Sequence, residues 1–280
     1  MPYTCFEVDI SDAVAHVRLC RPEALNTMTA DFWRELPDIV TSISDNASAR
    51  VVVISSTGRH FSAGMDLSVF TGDHLAGAPV AEAGRRQARL RSNAQVLQWS
   101  FTALEKARVP VIAAVQGGVI GGAVDLVTAC DLRYATADAF FCVQEINIGM
   151  TADVGTLQRL GNVVGEGFAR EMAFTGRRVP ASRAYEVGLV QEVYVGHESL
   201  LQGALDTARE IAEKSPLAIW GTKVALNFAR DHGVDASLEQ IATWQAGMFQ
   251  PQDMTEAFTA KAQKRSPVFD ELLPQPRGLG

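Results

Sequence analysis

Apolar and polar residues alternate from Ala13 to Cys20 around His16 and Arg18, which predicts a strand with one buried face. Arg21-Pro22-Glu23 breaks it. Thr29–Asp45 has apolar residues at helical spacing despite Pro37, and Arg50–Ser55 is apolar and β-branched, a second strand. A polar, glycine-containing passage, Ser56–Val80, leads into a long basic amphipathic helix from about Ala81 to Ala107, whose arginines read as a solvated face before a phosphate-binding one. Val109–Gln116 is a further strand. It runs into Gly117-Gly118-Val119-Ile120-Gly121-Gly122 and a helix to about Ala129, with strands Asp131–Ala135 and Ala139–Val143 after it. Beyond about Gly165 the period is almost wholly helical, over Ser182–Val187, Ser199–Ser215, Pro216–Arg230, Asp235–Phe249 and Asp253–Lys264. Alternating strands and helices indicate an α/β fold, with a mixed core over 1–200 and a helical region over 201–280.

Composition narrows the class. A chain of 280 residues with 47% hydrophobic and 20% charged positions has the balance of a soluble globular protein with a sizeable core. Its formal charge of −7 provides no basic field for nucleic acid. Cys5, Cys20, Cys130 and Cys142 form no CxxC pair, which suits reduced thiols in the cytoplasm; no basic-then-apolar segment at the N-terminus suggests export. Val109–Cys130 has GxxxG spacing, but Pro110, Gln116, Asp125 and the glycine run argue against a membrane helix, and no membrane partner is expected.

Between Val109 and Leu160 there is no histidine, lysine or serine, so acid–base chemistry there falls to carboxylates: Asp125, Glu145 and Asp153. A buried carboxylate needs a partner or a raised pKa. Each could also be satisfied locally, Asp153 by capping a helix that starts at Val154-Gly155, Asp125 by a backbone donor and Glu145 by solvent. The glycine run entering a helix presents unpaired N–H groups at its positive end, an anion site at Gly122, with Asp125 on the same helical face. It lacks the P-loop ending and does not match GxGxxG. A second glycine turn, Phe61-Ser62-Ala63-Gly64-Met65-Asp66, offers another exposed N–H at Ala63. Two donors on one carbonyl oxygen make an oxyanion hole, and with carboxylates but no nucleophile they describe enolate chemistry. The acidic residues have no metal-ligand spacing, so no metal is expected.

These residues resemble the crotonase, or enoyl-CoA hydratase/isomerase, superfamily: Arg21-Pro22-Glu23-Ala24-Leu25-Asn26 is similar to its N-terminal signature, Phe61–Leu67 to its first oxyanion turn and adenine-contacting loop, and Gly118–Asp131 to its second. Cys130-Asp131-Leu132-Arg133-Tyr134, Ala139-Phe140-Phe141, Glu145 and Ala152–Leu160 resemble the Δ3,5-Δ2,4-dienoyl-CoA isomerase branch. The resemblance implies a spiral of ββα repeats with a helical C-terminal region that builds homotrimers or homohexamers. It also implies an acyl-CoA substrate of fatty acid β-oxidation, coenzyme A being part of that substrate and no separate cofactor being needed. Ser62, Ala63, Gly64, Asp66, Leu67, Gly121 and Gly122 would contact the thioester. Ala63 and Gly122 would hold its oxygen, Asp153 would take a proton from C2, Glu145 would deliver one at C6, and Asp125 would hold the acidic cluster together. Enoyl-CoA hydration is the alternative, and a non-catalytic binding protein of the same fold is another. Lys261, Lys264 and Arg265 could reach a CoA phosphate or form a solvated face, and the Ser68–Gln95 region would wall the acyl pocket.

Overall fold

The computed structural model describes residues 3–71 and 82–276. Phe6, Val8 and Ile10 alternate with Glu7, Asp9 and Ser11, giving an edge strand β1 (Phe6–Ser11) that pairs antiparallel with β2 (Val14–Leu19). Their turn uses Asp12 and Ala13 at φ +50° and +61°, a hairpin geometry normally marked by glycine or asparagine. Without that mark β1 does not stand out in the sequence.

From β2 onward the large sheet is parallel, in the order β1-β2-β3-β4-β6-β9, with β3 (Val51–Ser56), β4 (Val111–Val115), β6 (Leu132–Thr136) and β9 (Glu192–Tyr194). A small second sheet has the order β5-β7-β8, from β5 (Gly118–Ile120), β7 (Phe140–Cys142) and β8 (Val179–Pro180). Each repeat sends one strand to the large sheet and the next to the small one before a helix returns: β4, β5 and helix α4 (Gly122–Ala129), then β6, β7 and helix α5 (Thr156–Val164). This is the expected crotonase spiral. Val109–Cys130 is therefore two strands and a short helix, and no helix among the described residues is long and apolar enough to cross a membrane.

Every residue of β3 and β4 is buried because the sheet is covered on both faces. The main core lies between the sheets and the inner helices, around Phe32, Phe61, Leu104, Leu126 and Phe141. A second cluster lies on the opposite face, where Leu200, Ala204 and Ala208 of α8 (His197–Ala212) pack on Val51, Val53 and Ile112. Alanines four apart let this helix lie close to the strands. Between α5 and α8 the chain forms α6 (Glu166–Thr175) and α7 (Ala181–Glu186); α9 (Pro216–His232), α10 (Val234–Met248) and α11 (Pro251–Gln263) follow. The C-terminal segment is tied back by Arg50, which donates to the Ala212 and Phe269 carbonyls and to Glu271.

Two helices bring the site together. The first, α1 (Ala30–Asn46), continues without a break past Pro37, and the reason is tertiary. Proline has no N–H for the Trp33 carbonyl four residues back, and the Ser100 hydroxyl donates to that carbonyl instead, at 2.9 Å. Ser100 belongs to α3 (Ala83–Lys106), which follows the short α2 (Leu67–Thr71) and packs Phe101 against Trp33 at 5.2 Å between ring centroids. The first turns of α3 are exposed, so its arginines form a solvated face. Ser100→Ala should leave the Trp33 carbonyl buried and unpaired and cost about 1–2 kcal/mol in urea unfolding. In a Pro37→Ala background, where residue 37 regains its amide, that loss should shrink.

Candidate active site

The N-terminal Arg21–Asn26 turn builds the first wall. Leu25 and Asn26 both take φ +51°; the buried Asn26 amide donates to the Thr57 and His60 carbonyls and accepts from the Arg21 amide. This presents the Leu25 carbonyl to the amide of Ala63, 3.0 Å away. Ala63 is thus a correction to the sequence reading. It lines the cavity, but its N–H already has an acceptor and is not free for a substrate oxygen. Met28 then pairs in parallel with the same loop, accepting from Asp66 N–H and donating to the Gly64 carbonyl, so that the amide of Met65 points the other way. Among the described residues neither the Met65 nor the Gly122 amide has a protein acceptor.

The two loops meet because glycine allows it. Ser62 N–H donates to the Gly118 carbonyl and Ile120 N–H to the Ser62 carbonyl, both at 3.2 Å. Gly64 sits at φ +87°, and a Cβ there would stand 2.7 Å from the Ile120 carbonyl and 3.5 Å from the Gly122 nitrogen. Gly121 takes φ +55° as the residue capping α4, and its N–H donates to the Cys142 carbonyl. Gly64, Leu67, Gly121 and Gly122 line the resulting cavity of about 200 Å³, as expected, and Leu67 is largely exposed. Ser62 and Asp66 do not line it. Ser62 is fully buried, donating to the Asn26 carbonyl and accepting from the Gly64 amide. Asp66 accepts from Ser68 and Thr27, and those hydrogen bonds hold its carboxyl down at about 2.

Three carboxylates converge here, with unequal surroundings. Asp125 is completely buried in the first turn of α4; one oxygen accepts the Thr156 amide at 2.5 Å and the other has no partner among the described residues. Burial, and then the Glu145 charge, push its carboxyl up to about 7. Glu145 opens a 3-10 turn, Glu145–Ile148, on the cavity wall. Its Oε2 is buried away from solvent and has no partner among the described residues, and burial followed by the Asp153 charge raises its pKa. Its Oε1 comes within 3.3 Å of where a Cβ at Gly121 would stand. Asp153 lines the same cavity but is exposed, and its carbonyl accepts from Gln98 at 2.7 Å. Asp153 does not cap the following helix. That helix starts at Thr156 with Gly155 before it, and the acid at its N-terminus is Asp125 from α4.

Trp33, Ile148, Met150 and Val154 supply apolar wall beside these groups. Trp33 carries no sequence mark beyond its helical period, and Met65 lies two residues from the amide expected. The expected Ser68–Gln95 wall includes residues 72–81, outside the described residues. Arg265 is paired with Glu256 at the end of α11.

A cavity bordered by two free amides, one half-buried and one exposed carboxylate, with the buried Asp125 outside its lining, can stabilise an enolate oxygen while moving protons along the carbon chain. Such a site costs stability. Folding raises the Asp125 pKa from 3.8 to about 7, so the penalty on its charge is absent below pH 4, grows as pH rises and is complete above 7. Asp125→Asn keeps an acceptor for the Thr156 amide and removes the charge. Thermal or urea unfolding at pH 8 should find the variant more stable by a few kcal/mol, since each tenfold change in proton affinity is worth about 1.4 kcal/mol, with the gain fading toward pH 4.

Comparison with known proteins agrees with this geometry. Residues 9–272 match the enoyl-CoA hydratase/isomerase family model. The chain is 44% identical over 253 residues to the mitochondrial Δ(3,5)-Δ(2,4)-dienoyl-CoA isomerase of Rattus norvegicus, covering 90% of this chain and 77% of that protein. To the peroxisomal protein of the same name from Arabidopsis thaliana it is 40% identical, covering 93% and 94%. Among solved structures, an enoyl-CoA hydratase from Bacillus anthracis superposes with a TM-score of 0.84 at 29% identity, over 95% of this chain and 99% of that one. A putative enoyl-CoA hydratase from Streptomyces coelicolor gives 0.84 at 29% identity, over 96% and 95%. With its spiral of ββα repeats and paired amide loops, the chain belongs to the enoyl-CoA hydratase/isomerase family.

Proposed function

We propose that this enzyme is a Δ3,5-Δ2,4-dienoyl-CoA isomerase of fatty acid β-oxidation. The observation that carries the reading is the pair of buried, unpartnered carboxylate oxygens, on Asp125 and Glu145, beside a cavity with unpaired amides at Met65 and Gly122. The rat and Arabidopsis relatives bearing that name support it.

In this reading the thioester oxygen accepts from Met65 and Gly122, replacing the Ala63 donor of the sequence expectation. Asp153, which meets solvent at the cavity wall, takes the C2 proton. The C2–H electrons shift into a C2–C3 double bond as the diene moves to the 2,4 position, and C6 takes a proton from Glu145, whose carboxyl burial biases toward the protonated form. Exchange with solvent then resets both acids. C2 and C6 are four bonds apart, so two separate carboxyls suit the task better than one. Asp125, between the glycine loop and α5, supports the pair. Hydration instead requires two acids on one water; the resemblance implies that hydratases carry a glutamate where Asp125 stands and a glycine where Asp153 stands, so a shorter acid with an added one does not favour that arrangement. Assembly as a homotrimer or homohexamer through the helical region is part of the proposal, supported by exposed Leu226, Leu238 and Phe258 on its helices. A cytoplasmic site of action is supported by four free cysteines, although the rat and Arabidopsis relatives are mitochondrial and peroxisomal.

Incubation with 3,5-octadienoyl-CoA should build the absorbance of a conjugated 2,4-dienoyl thioester, and Glu145→Gln or Asp153→Asn should each slow it by about 10²–10⁴-fold. A flat trace together with loss of conjugation from crotonyl-CoA would instead establish the hydratase. Binding of CoA thioesters with no turnover of either substrate would establish a binding protein.

A further inference from the structure

Asp125 has a cationic neighbour that the proton transfer itself does not use. Helix α5 points its N-terminus at Asp125, and Arg159, one turn along, folds back across Gly155. Gly155 takes φ +135°, and a Cβ there would stand 1.8 Å from the Arg159 Nη1. With glycine at 155 the guanidinium occupies the space a side chain would take, next to the residue whose amide holds Asp125. Arg159 is mostly buried at 13% side-chain exposure, so its charge is weakly screened by water. Its Nε and Nη2 donate to Glu105 of α3 at 3.3 and 3.1 Å, and Nη2 also to Thr102. Glu105, 15% exposed, is shared with Arg230 of α9, which in turn pairs with Asp231.

We propose that Arg159 and Glu105 are positioning residues that set the protonation state of the Asp125 and Glu145 pair with opposite signs. Arg159 supplies the positive field that lets a carboxylate ionise in an apolar site. Glu105 anchors that guanidinium and attenuates its field. The charges acting on Asp125 are Glu145 from the 3-10 turn, which opposes its ionisation, and, more weakly, Arg159 from α5, which favours it. Asp153, in the segment before α5, acts on Glu145. Glu105 of α3 and Arg230 of α9 stand behind Arg159, and β5 contributes no titratable side chain. Opposite charge lowers a carboxyl pKa and like charge raises it. A cluster that must hold one proton while keeping another member ionised is sensitive to such a nearby source.

The inference rests on the isomerase reading only for the reaction followed, and a second measurement is independent of it. In the pH dependence of kcat with 3,5-octadienoyl-CoA, Arg159→Gln should move the acidic limb up by about one pH unit, and Glu105→Gln should move it down. Arg159→Lys keeps the charge and loses the fork, so it should lower thermal stability while leaving the limb in place. Carboxyl ¹³C resonances of Asp- and Glu-labelled protein, titrated without substrate, should show the same two opposed shifts. A merely structural network predicts loss of stability in all three variants with no displacement of the limb or resonances. That outcome, or Arg159→Gln and Glu105→Gln shifting in the same direction, would overturn the proposal. If the parent enzyme does not turn over the dienoyl thioester, the isomerase reading fails and the ¹³C titration alone decides this one; if Arg159→Gln does not fold, a downward shift in Glu105→Gln supports the proposal and its absence overturns it.

Discussion

The close approach of two backbone segments at Gly64 is the constraint on which the site depends. The loop after β3 is hydrogen-bonded to β5 through Ser62 and Ile120, and Gly64 lies so near the Ile120 carbonyl and Gly122 amide that no side chain fits. Because of that approach, the amides of Met65 and Gly122, more than fifty residues apart in sequence, border one cavity. The parallel pairing of Met28 with the same loop uses the alternate amides, and that selects which N–H remains available. Asn26 and Gln116 reinforce the contact from either side, Gln116 donating to the Ser56 and Gly58 carbonyls.

Against this fixed backbone the acids sit in a gradient of solvation. Asp125 is sealed, Glu145 is partly enclosed and Asp153 meets solvent, and burial raises the proton affinity of the first two. The unpaired oxygens of Asp125 and Glu145 conflict with the rule that buried polar groups find partners. Such conflicts concentrate where function requires them, and the rest of the fold supplies the compensating stability. A sheet buried on both faces, a second core beneath α8 and the Arg50 anchor of the C-terminal segment are parts of that reserve.

Local pattern was a good guide where one element decides its own structure. The period of Thr29–Asp45 outlined α1 to within a residue at each end, and the helices after β9 followed their apolar spacing closely. It failed where a partner decides. Pro37 weakened the case for α1 because the Ser100 hydroxyl that relieves the Trp33 carbonyl lies in another helix. β1 escaped notice because its turn places Asp12 and Ala13 in a left-handed conformation that neither residue advertises. Asp153 looked like a helix cap by position, yet Asp125 occupies that end from α4, and no local pattern shows which acid will arrive there.

By itself the sequence determined the α/β alternation, the glycine-rich entry to α4 and the absence of any base but carboxylates around it, and through its motifs the family. These follow from residue type and period, which are local. Tertiary structure alone decided that the free amide after β3 belongs to Met65, because an amide is free only once neighbouring strands have taken the others. It alone set the order of burial among the three acids, because solvation depends on every element packed around a group rather than on its neighbours in the chain.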